Sequence, residues 1–233
     1  IFGKRDSIHI IDLTQTLELT NAALEKVYST IANGGKILFI STKKQASEAI
    51  AELAKNTNQY FVNHRWLGGM LTNWGTISNS IKKLNKINLD LSSENRGFTK
   101  KELLKMSGQK DKLQKSLGGI ADMKKLPDLV FIIDTNYESL AIKESIKLGI
   151  PIIAILDTNS NPEGIDYPIP GNDDARRSID LYCNLLKETI INAIKDIPDE
   201  VEKKEVNKKL NDVKIENNSL TITPEKSSDK KII

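Results

Sequence analysis

The amino-acid sequence predicts an α/β protein with a doubly wound parallel sheet and an inserted antiparallel coiled-coil helical hairpin. Short, nearly uninterrupted apolar runs alternate along the chain with amphipathic segments of helical period, which is typical of a parallel sheet covered by helices. That alternation stops between residues 75 and 128, where two helical stripes follow each other directly. Because crossovers between parallel strands are right-handed, we expect helices on both faces of the sheet.

Five apolar runs are predicted to be strands. They cover residues 8–13, 36–41, 60–62, 129–134 and 151–157. The last two lack the polar alternation of a half-exposed strand, so we expect both of their faces to be buried.

Four helices are predicted around these strands. The first ends near the Gly34–Gly35 pair. Capping boxes, in which a threonine and a Gln or Glu three residues later satisfy the first amides of a helix, mark the next two, at Thr42 with Gln45 and at Thr135 with Glu138. The apolar stripe of the first helix comprises Leu17, Leu24, Val27, Tyr28 and Ile31.

The last of these helices is predicted to begin after an N-cap at Asn172. Asp173 and Asp174 would lie in its first turn, where the helix dipole favours carboxylates. Pro198 ends the helix, because the residue before a proline is disfavoured in helical geometry. Its apolar stripe comprises Ile179, Cys183, Leu186, Ile190, Ile194 and Ile197.

The inserted segment is predicted to form two antiparallel helices with coiled-coil packing. Apolar residues recur at helical spacing in residues 77–91 and 103–120, on either side of a polar turn at 92–97. A third capping box, Thr99 with Glu102, marks the start of the second helix. The outer faces are rich in lysine: Lys82, Lys83, Lys86, Lys100, Lys101, Lys105, Lys110, Lys112 and Lys115.

Charge is distributed unevenly along the chain. Residues 1–74 carry a net charge of +2, residues 75–128 carry +6, residues 129–197 carry −5, and the remainder is balanced. We therefore expect an α/β core formed by residues 1–74 and 129–197, an inserted hairpin at 75–128, and a charged, flexible tail at 198–233. The basic hairpin and the acidic C-terminal half indicate surfaces with different partners, although a solvated pair of charged helices gives the same pattern.

Composition argues against several classes of protein. The 233 residues are 39% hydrophobic and 28% charged, which is typical of a soluble globular protein, and no apolar run approaches the roughly 18 residues of a membrane span. Cys183 is the single cysteine, which fits a reducing compartment. With only two histidines beside it, we expect no structural zinc site.

An enzyme that binds a sugar phosphate or a nucleotide is an alternative prediction, because doubly wound sheets bind ligands at the carboxyl ends of their strands. The sequence contains neither the glycine-rich dinucleotide fingerprint nor the phosphate loop. Residues 41–44 could hold a phosphate at a helix N-terminus, but we favour an ordinary cap with solvated lysines. Asp12, Asp134 and Asp157 lie at predicted strand ends, where capping or loop hydrogen bonds account for each.

The most unusual stretch is His64–Trp74, which reads HRWLGGMLTNW. Arginine and exposed aromatic side chains can contact phosphates and bases. Tryptophans can also anchor a hairpin to a sheet, with glycines allowing a sharp turn. We expect the anchoring role for Trp66 and Trp74, and a role in RNA binding or a polar network for His64 and Arg65.

These motifs, taken in order, resemble the bacterial-type family of small ribosomal subunit protein two. The similarity runs from Ile1 to about Ile197, and residues 71–74 resemble alphaproteobacterial or related organellar members. The N-terminal segment of that family, with its His-Phe-Gly and Trp-Asn-Pro-Lys elements, is missing from the sequence. Beside His64–Trp74, the matching blocks are residues 1–5, 8–13, 116–120, 127–134, Glu144, 149–151, 157–162 and 169–174.

The resemblance implies a flavodoxin-like α/β domain with a protruding coiled-coil hairpin. It implies a structural role in a cytoplasmic ribosome, bacterial or organellar, where the protein binds small-subunit (16S-type) ribosomal RNA late in assembly between head and body. It also implies help in docking neighbouring ribosomal proteins, including the large messenger-binding protein. No catalysis, cofactor, metal, membrane or DNA contact is implied.

Cationic side chains are predicted to neutralise RNA phosphates without reading bases. A pure protein-interaction module that uses the hairpin is a second alternative, whose binding would be insensitive to salt and to RNase. The residues predicted to bind RNA are Lys4, Arg5, Lys43, Lys44, His64, Arg65, Lys82, Lys83 and Lys86.

Overall fold

The structure, a computed structural model, describes residues 1–6, 8–92 and 97–196. These residues form seven strands, six α-helices and one 3₁₀ turn at Gly118–Ile120. In chain order the strands and α-helices are β1 (Gly3–Arg5), β2 (Ile8–Ile10), α1 (Leu13–Ala32), β3 (Ile37–Ile40), α2 (Lys44–Asn56), β4 (Tyr60–Val62), α3 (Trp74–Ser92), α4 (Lys100–Leu117), β5 (Leu129–Ile133), α5 (Ser139–Leu148), β6 (Ile152–Leu156), β7 (Tyr167–Pro170) and α6 (Arg176–Lys195).

Five of the strands form one parallel sheet, in the order β4-β3-β5-β6-β7. Numbered within the sheet, this order is 2-1-3-4-5, which is that of flavodoxin-like doubly wound folds. The predicted fold class is therefore confirmed, and the switch point where the strand order reverses lies between β3 and β5.

Two strand predictions needed correction. Residues 8–13 do not join the sheet, because β2 pairs with β1 in a separate antiparallel ribbon and Asp12 ends the run by capping α1 through a 3.0 Å bond from the Thr14 amide. β7 was missed, because Pro168 and Pro170 suggest a turn. The strand lies at the edge of the sheet, where prolines are tolerated because one side of the backbone needs no ladder bonds.

The alternating side chains of the strands build a core on each face of the sheet. Odd-numbered residues of β3 and β5, such as Phe39 and Phe131, pack with α1, α2 and α6. Even-numbered residues, such as Leu38 and Val130, pack with α5, with residues 66–71 and with the base of the hairpin. Because both faces are covered, the strands carry the continuous apolar runs seen in the sequence.

Helices α3 and α4 pack against each other. Ile77 and Ile81 of α3 belong to the second core of the sheet, and the capping box of Thr99 and Glu102 at the start of α4 is confirmed. Farther from the sheet, the apolar residues of α4 are open to solvent: Leu103 is 39% exposed and Leu104 77%. Coiled-coil geometry stays a prediction. Within the predicted turn, residues 93–96 lie outside the described part of the chain.

Residues 1–195 form one compact unit. Of the residues that follow, only Asp196 is described. The predicted tail at 198–233 and the helix end at Ile197 and Pro198 lie outside the described residues. The boundaries at residues 74 and 128 stay predictions.

Several helix starts and stripes differ from the predictions. The N-cap of α2 is Lys43 without a side-chain cap bond, so the first predicted capping box is wrong. Helix α5 begins at Ser139, after Glu138, and α6 begins at Arg176, so the Asp173–Asp174 pair precedes that helix. Leu17 and Ile194, predicted in apolar stripes, are 64% and 45% exposed.

Candidate nucleic-acid interface

Lys43 fills the switch-point crevice at the carboxyl ends of β3 and β5. Its ammonium nitrogen lies 3.2 Å from Asp134 Oδ2, 2.9 Å from Asp173 Oδ1 and 2.5 Å from Asp174 Oδ1, and its side chain is only 11% exposed. Burial alone would lower the pKa of Lys43, but hydrogen bonds to the three carboxylates outweigh it and raise that pKa. The ammonium is therefore held inside the protein.

A buried carboxylate occupies the neighbouring anion position. The Thr42 amide, at the approach to α2, donates a 2.6 Å hydrogen bond to Glu138 Oε1. Burial raises the pKa of Glu138, bonds from Thr42 oppose this, and the Asp134 charge adds to it. A phosphate bound at the start of a helix uses such amides. Because the chain supplies its own carboxylate there, the crevice gives the nucleotide-enzyme alternative no support.

Asp157, Asp173 and Asp174 bring carboxylate oxygens within 4.8 Å of one another in the described part of the chain. Oxygen ligands of this kind suit a divalent cation. Lys43 already pairs with two of the three carboxylates, so the cluster has an internal positive partner.

Glu144 organises the unusual stretch after β4. Its Oε1 accepts hydrogen bonds from Trp66 Nε1 at 3.0 Å and from the Gly69 amide at 2.8 Å. Its Oε2 accepts bonds from the Leu71 amide at 2.9 Å and from the amide and hydroxyl of Thr72 at 3.0 and 3.1 Å. One carboxylate thus closes the loop that leads into α3.

Hydrogen bonding decides the charge state of Glu144. Burial alone would raise the pKa of this carboxyl, but the bonds from Thr72, Trp66, Leu71 and Gly69 together lower it. The sequence interpretation missed this role. The available signal was a glutamate among the buried positions of α5, beside Ala141, Ile142 and Ser145.

The tryptophans act as anchors, as predicted. Trp66 is buried in the second core of the sheet. Trp74, the first residue of α3, is half-buried and packs against that core. His64 and Arg65 precede this loop and are exposed. The stretch therefore combines a buried structural half with an exposed polar start.

The other predicted RNA-binding residues lie on separate elements. Lys4 and Arg5 are exposed on β1, where Arg5 pairs with Asp6 at 3.8 Å, and Lys44 is exposed at the first position of α2. Within the described residues, no hydrogen bond or ion pair joins these groups to one another. The hairpin lysines Lys82, Lys83 and Lys86 are all exposed on α3.

The structure is thus a flavodoxin-like domain whose switch-point crevice is occupied by its own charged side chains. Its exposed cations lie on the ribbon, on α2, in the loop after β4 and on the hairpin. The chain belongs to the ribosomal protein S2 family, whose model matches residues 1–193. This family is structural and not enzymatic. The family match confirms the resemblance that the ordered sequence motifs indicated.

Individual relatives cover most of the chain. The small ribosomal subunit protein uS2 of Agrobacterium fabrum is 57% identical over 194 residues, which are 83% of this chain and 76% of the relative. The protein of the same name from Rickettsia bellii is 57% identical over 198 residues, covering 84% and 68%. That from Phenylobacterium zucineum is 58% identical over 194 residues, covering 83% and 66%.

None of the helices in the described ranges combines the length and apolar character needed to cross a membrane.

Proposed function

We propose that the protein is a structural component of the small ribosomal subunit that binds 16S-type ribosomal RNA and contacts neighbouring ribosomal proteins. The observation that carries this proposal is membership of the S2 family over residues 1–193. The closed crevice supports it, because a scaffold needs no substrate site. The protein would act in the cytoplasm, within the ribosome.

RNA binding is assigned to exposed cations that neutralise phosphates, since phosphate contacts give affinity and position without reading sequence. Lys43, although predicted from the sequence, is assigned to its three ion pairs instead, because a phosphate would have to displace buried carboxylates. The proposed phosphate contacts are Lys4, Arg5, Lys44, His64, Arg65, Lys82, Lys83 and Lys86.

Docking of neighbouring proteins, including the large messenger-binding protein, is assigned to the end of the molecule that carries the β1–β2 ribbon. Phe2 is 78% exposed, Ile8 71% and Leu13, at the start of α1, 72%. Several exposed apolar side chains on one small region favour a protein partner.

Sedimentation of the tagged full chain tests the proposal directly. In extracts of a bacterium that carries one of the relatives, we expect the chain in the small-subunit fraction of a sucrose gradient and its release by RNase. A chain that stays in the soluble fraction contradicts the proposal. A chain that sediments with the subunit but resists both RNase and high salt favours the protein-interaction module instead.

A further inference from the structure

A groove of about 460 Å³ lies along the edge strand β4, between α2 and the base of the hairpin. Its volume is within the range of about 300–1,000 Å³ that is usual for ligand pockets. One wall comes from α2, with Ala51 and Lys55, and the opposite wall comes from the end of α4, with Gln114 and Lys115.

Close packing of backbone on backbone forms the groove beside β4. A Cβ atom added to Gly119 would overlap the carbonyl oxygen of Phe61, so only glycine lets the 3₁₀ turn lie directly on the strand. Tyr60 and Phe61 are half-buried residues of β4 that line the groove. Residues 114–119 are thus held against aromatic side chains of the sheet edge.

The side chains that line the groove include cations that can bind a phosphate and polar groups that can bind a nucleotide base. The Lys55 ammonium lies 5.8 Å from the ring centroid of Phe61, which keeps it at the groove, and Lys115 faces it from the hairpin side. Asp122 is the carboxylate among the lining residues, so these fixed charges sum to a positive value.

Polar groups capable of meeting a base edge are also present. In the described part of the chain, no hydrogen bond engages the side-chain amides of Asn58 and Gln114 or the imidazole of His64. Donors and acceptors beside an aromatic surface, with lysines at the rim, match the way proteins bind single unstacked nucleotides. A peptide partner would not require this combination of two lysines and two amides.

We propose that this groove binds one unstacked nucleotide of ribosomal RNA. The lysines hold its phosphate, and the amides, the imidazole and the aromatic side chains meet its base. The inference rests on the proposed RNA-binding function and adds a defined subsite to it.

Ultraviolet crosslinking of the full chain to a small-subunit ribosomal RNA transcript tests the subsite. Mass spectrometry of the digested complex should find a nucleotide attached to the peptide that contains Tyr60, Phe61 and His64. Ala51→Phe, which fills the groove without changing charge, should lower that adduct about tenfold, the order expected for one stacked base. The matched control, Ala22→Phe on the exposed side of α1, should leave it unchanged.

A second variant protects the test against misfolding. If Ala51→Phe lowers the melting temperature strongly, the double variant Lys55→Gln with Lys115→Gln replaces it, and the same loss of adduct is expected. A wild-type chain that binds the transcript without an adduct here, or a groove variant that keeps the adduct, overturns the inference alone. Crosslinks from this groove to a neighbouring protein in purified subunits also overturn it. A wild-type chain that binds no ribosomal RNA overturns the proposed function as well.

Discussion

Glu138 and Glu144 are buried carboxylates at the start and in the middle of one helix, yet their surroundings move their pKa values in opposite directions. Both lose solvation. Glu144 gains five hydrogen bonds from the loop after β4, whereas Glu138, among the described residues, accepts bonds from Thr42 alone and lies near the Asp134 charge. The number of donors therefore decides whether the ionised form is favoured.

Replacing Glu144 by glutamine should destabilise the protein. One acceptor oxygen becomes an NH₂ group that faces other donors, so the expected loss is about 1.5–3 kcal/mol in the free energy of unfolding at pH 7. Urea denaturation measures it, with the exposed Glu188→Gln on α6 as the control. An unfolding midpoint at pH 7 equal to that of the control would show that the loop does not depend on this carboxylate.

The same pair of proteins should differ in pH dependence. The folded pKa of Glu144 lies below the unfolded value of about 4.3, so its contribution is fully present above that value and is lost as the pH falls through the folded pKa. The difference in unfolding free energy between wild type and Glu144→Gln should therefore shrink below about pH 4.3. A difference that is constant down to pH 3 would contradict this assignment.

Replacing Glu138 by glutamine should affect the free energy of unfolding, and its pH dependence, differently from replacing Glu144. Its folded pKa is raised, so the ionised form costs stability above the unfolded value, and the wild type becomes relatively more stable as the pH falls below the folded pKa. Glutamine keeps an oxygen for the Thr42 amide and removes the charge near Asp134. In the same urea series we expect no loss greater than about 0.5 kcal/mol at pH 7, and a gain is consistent. A loss as large as that of Glu144→Gln would refute the distinction.

At the scale of elements, two glycines of the hairpin should respond oppositely to alanine. Gly119→Ala places a Cβ against the Phe61 carbonyl oxygen, and neither backbone can move away cheaply, so we expect a clear loss of stability of about 1–3 kcal/mol. Gly108 lies within α4 with no atom near its added Cβ, so Gly108→Ala should stabilise the protein by about 0.5–1 kcal/mol. Thermal unfolding of both variants, followed by circular dichroism, measures the two signs. Equal effects would mean that the 3₁₀ turn is not tightly seated on β4.

The elements that sequence predicted well are those whose local pattern and tertiary environment agree. β5 and β6 are continuous apolar runs because both of their faces are covered. The capping box at Thr99 forms because the start of α4 is exposed and, among the described residues, no other group competes for it. β7 was not predicted because its two prolines are tolerated only at the edge of a sheet. The edge position depends on the arrangement of all the strands and cannot be read from the local sequence.

Tertiary competition explains the failed capping boxes. At Thr42 the backbone amide is bonded by Glu138, a residue 96 positions away, and at Glu138 the side chain is drawn to that amide instead of to Thr135. Capping rules describe neighbours in sequence and contain no information about such partners. The same limit hid Glu144, because its five bonds come from residues 72 to 78 positions earlier.

On the scale of the whole molecule, charge separates the hairpin segment from the C-terminal half. Residues 75–128 hold 12 basic and 6 acidic side chains, whereas residues 129–197 hold 6 and 11. Within the C-terminal half, Asp134, Asp173 and Asp174 are partly neutralised by Lys43. The hairpin lysines Lys82, Lys83 and Lys86 have no carboxylate partner among the described residues. Their positive charges are therefore exposed to solvent without a neutralising neighbour.

This asymmetry predicts the salt dependence of RNA binding. Each phosphate contact contributes about 0.7–0.9 to the slope of log affinity against log salt, because a bound cation releases counterions. If the hairpin lysines each contact a phosphate, the variant Lys82→Ala, Lys83→Ala, Lys86→Ala should reduce the magnitude of that slope by about 2–3 when binding to a small-subunit RNA transcript is titrated across salt concentrations.

The matched control removes the same charge from exposed positions of the C-terminal half, with Lys143→Ala, Lys147→Ala and Lys195→Ala. If net charge alone governed the affinity, both triple variants would weaken binding equally. Neither variant would then lower the slope of log affinity against log salt by the amount expected for lost phosphate contacts. A reduced slope confined to the hairpin variant requires counterion release at those three lysines. An equal response of the two variants would contradict their assignment to phosphate and leave the hairpin as a surface for protein partners.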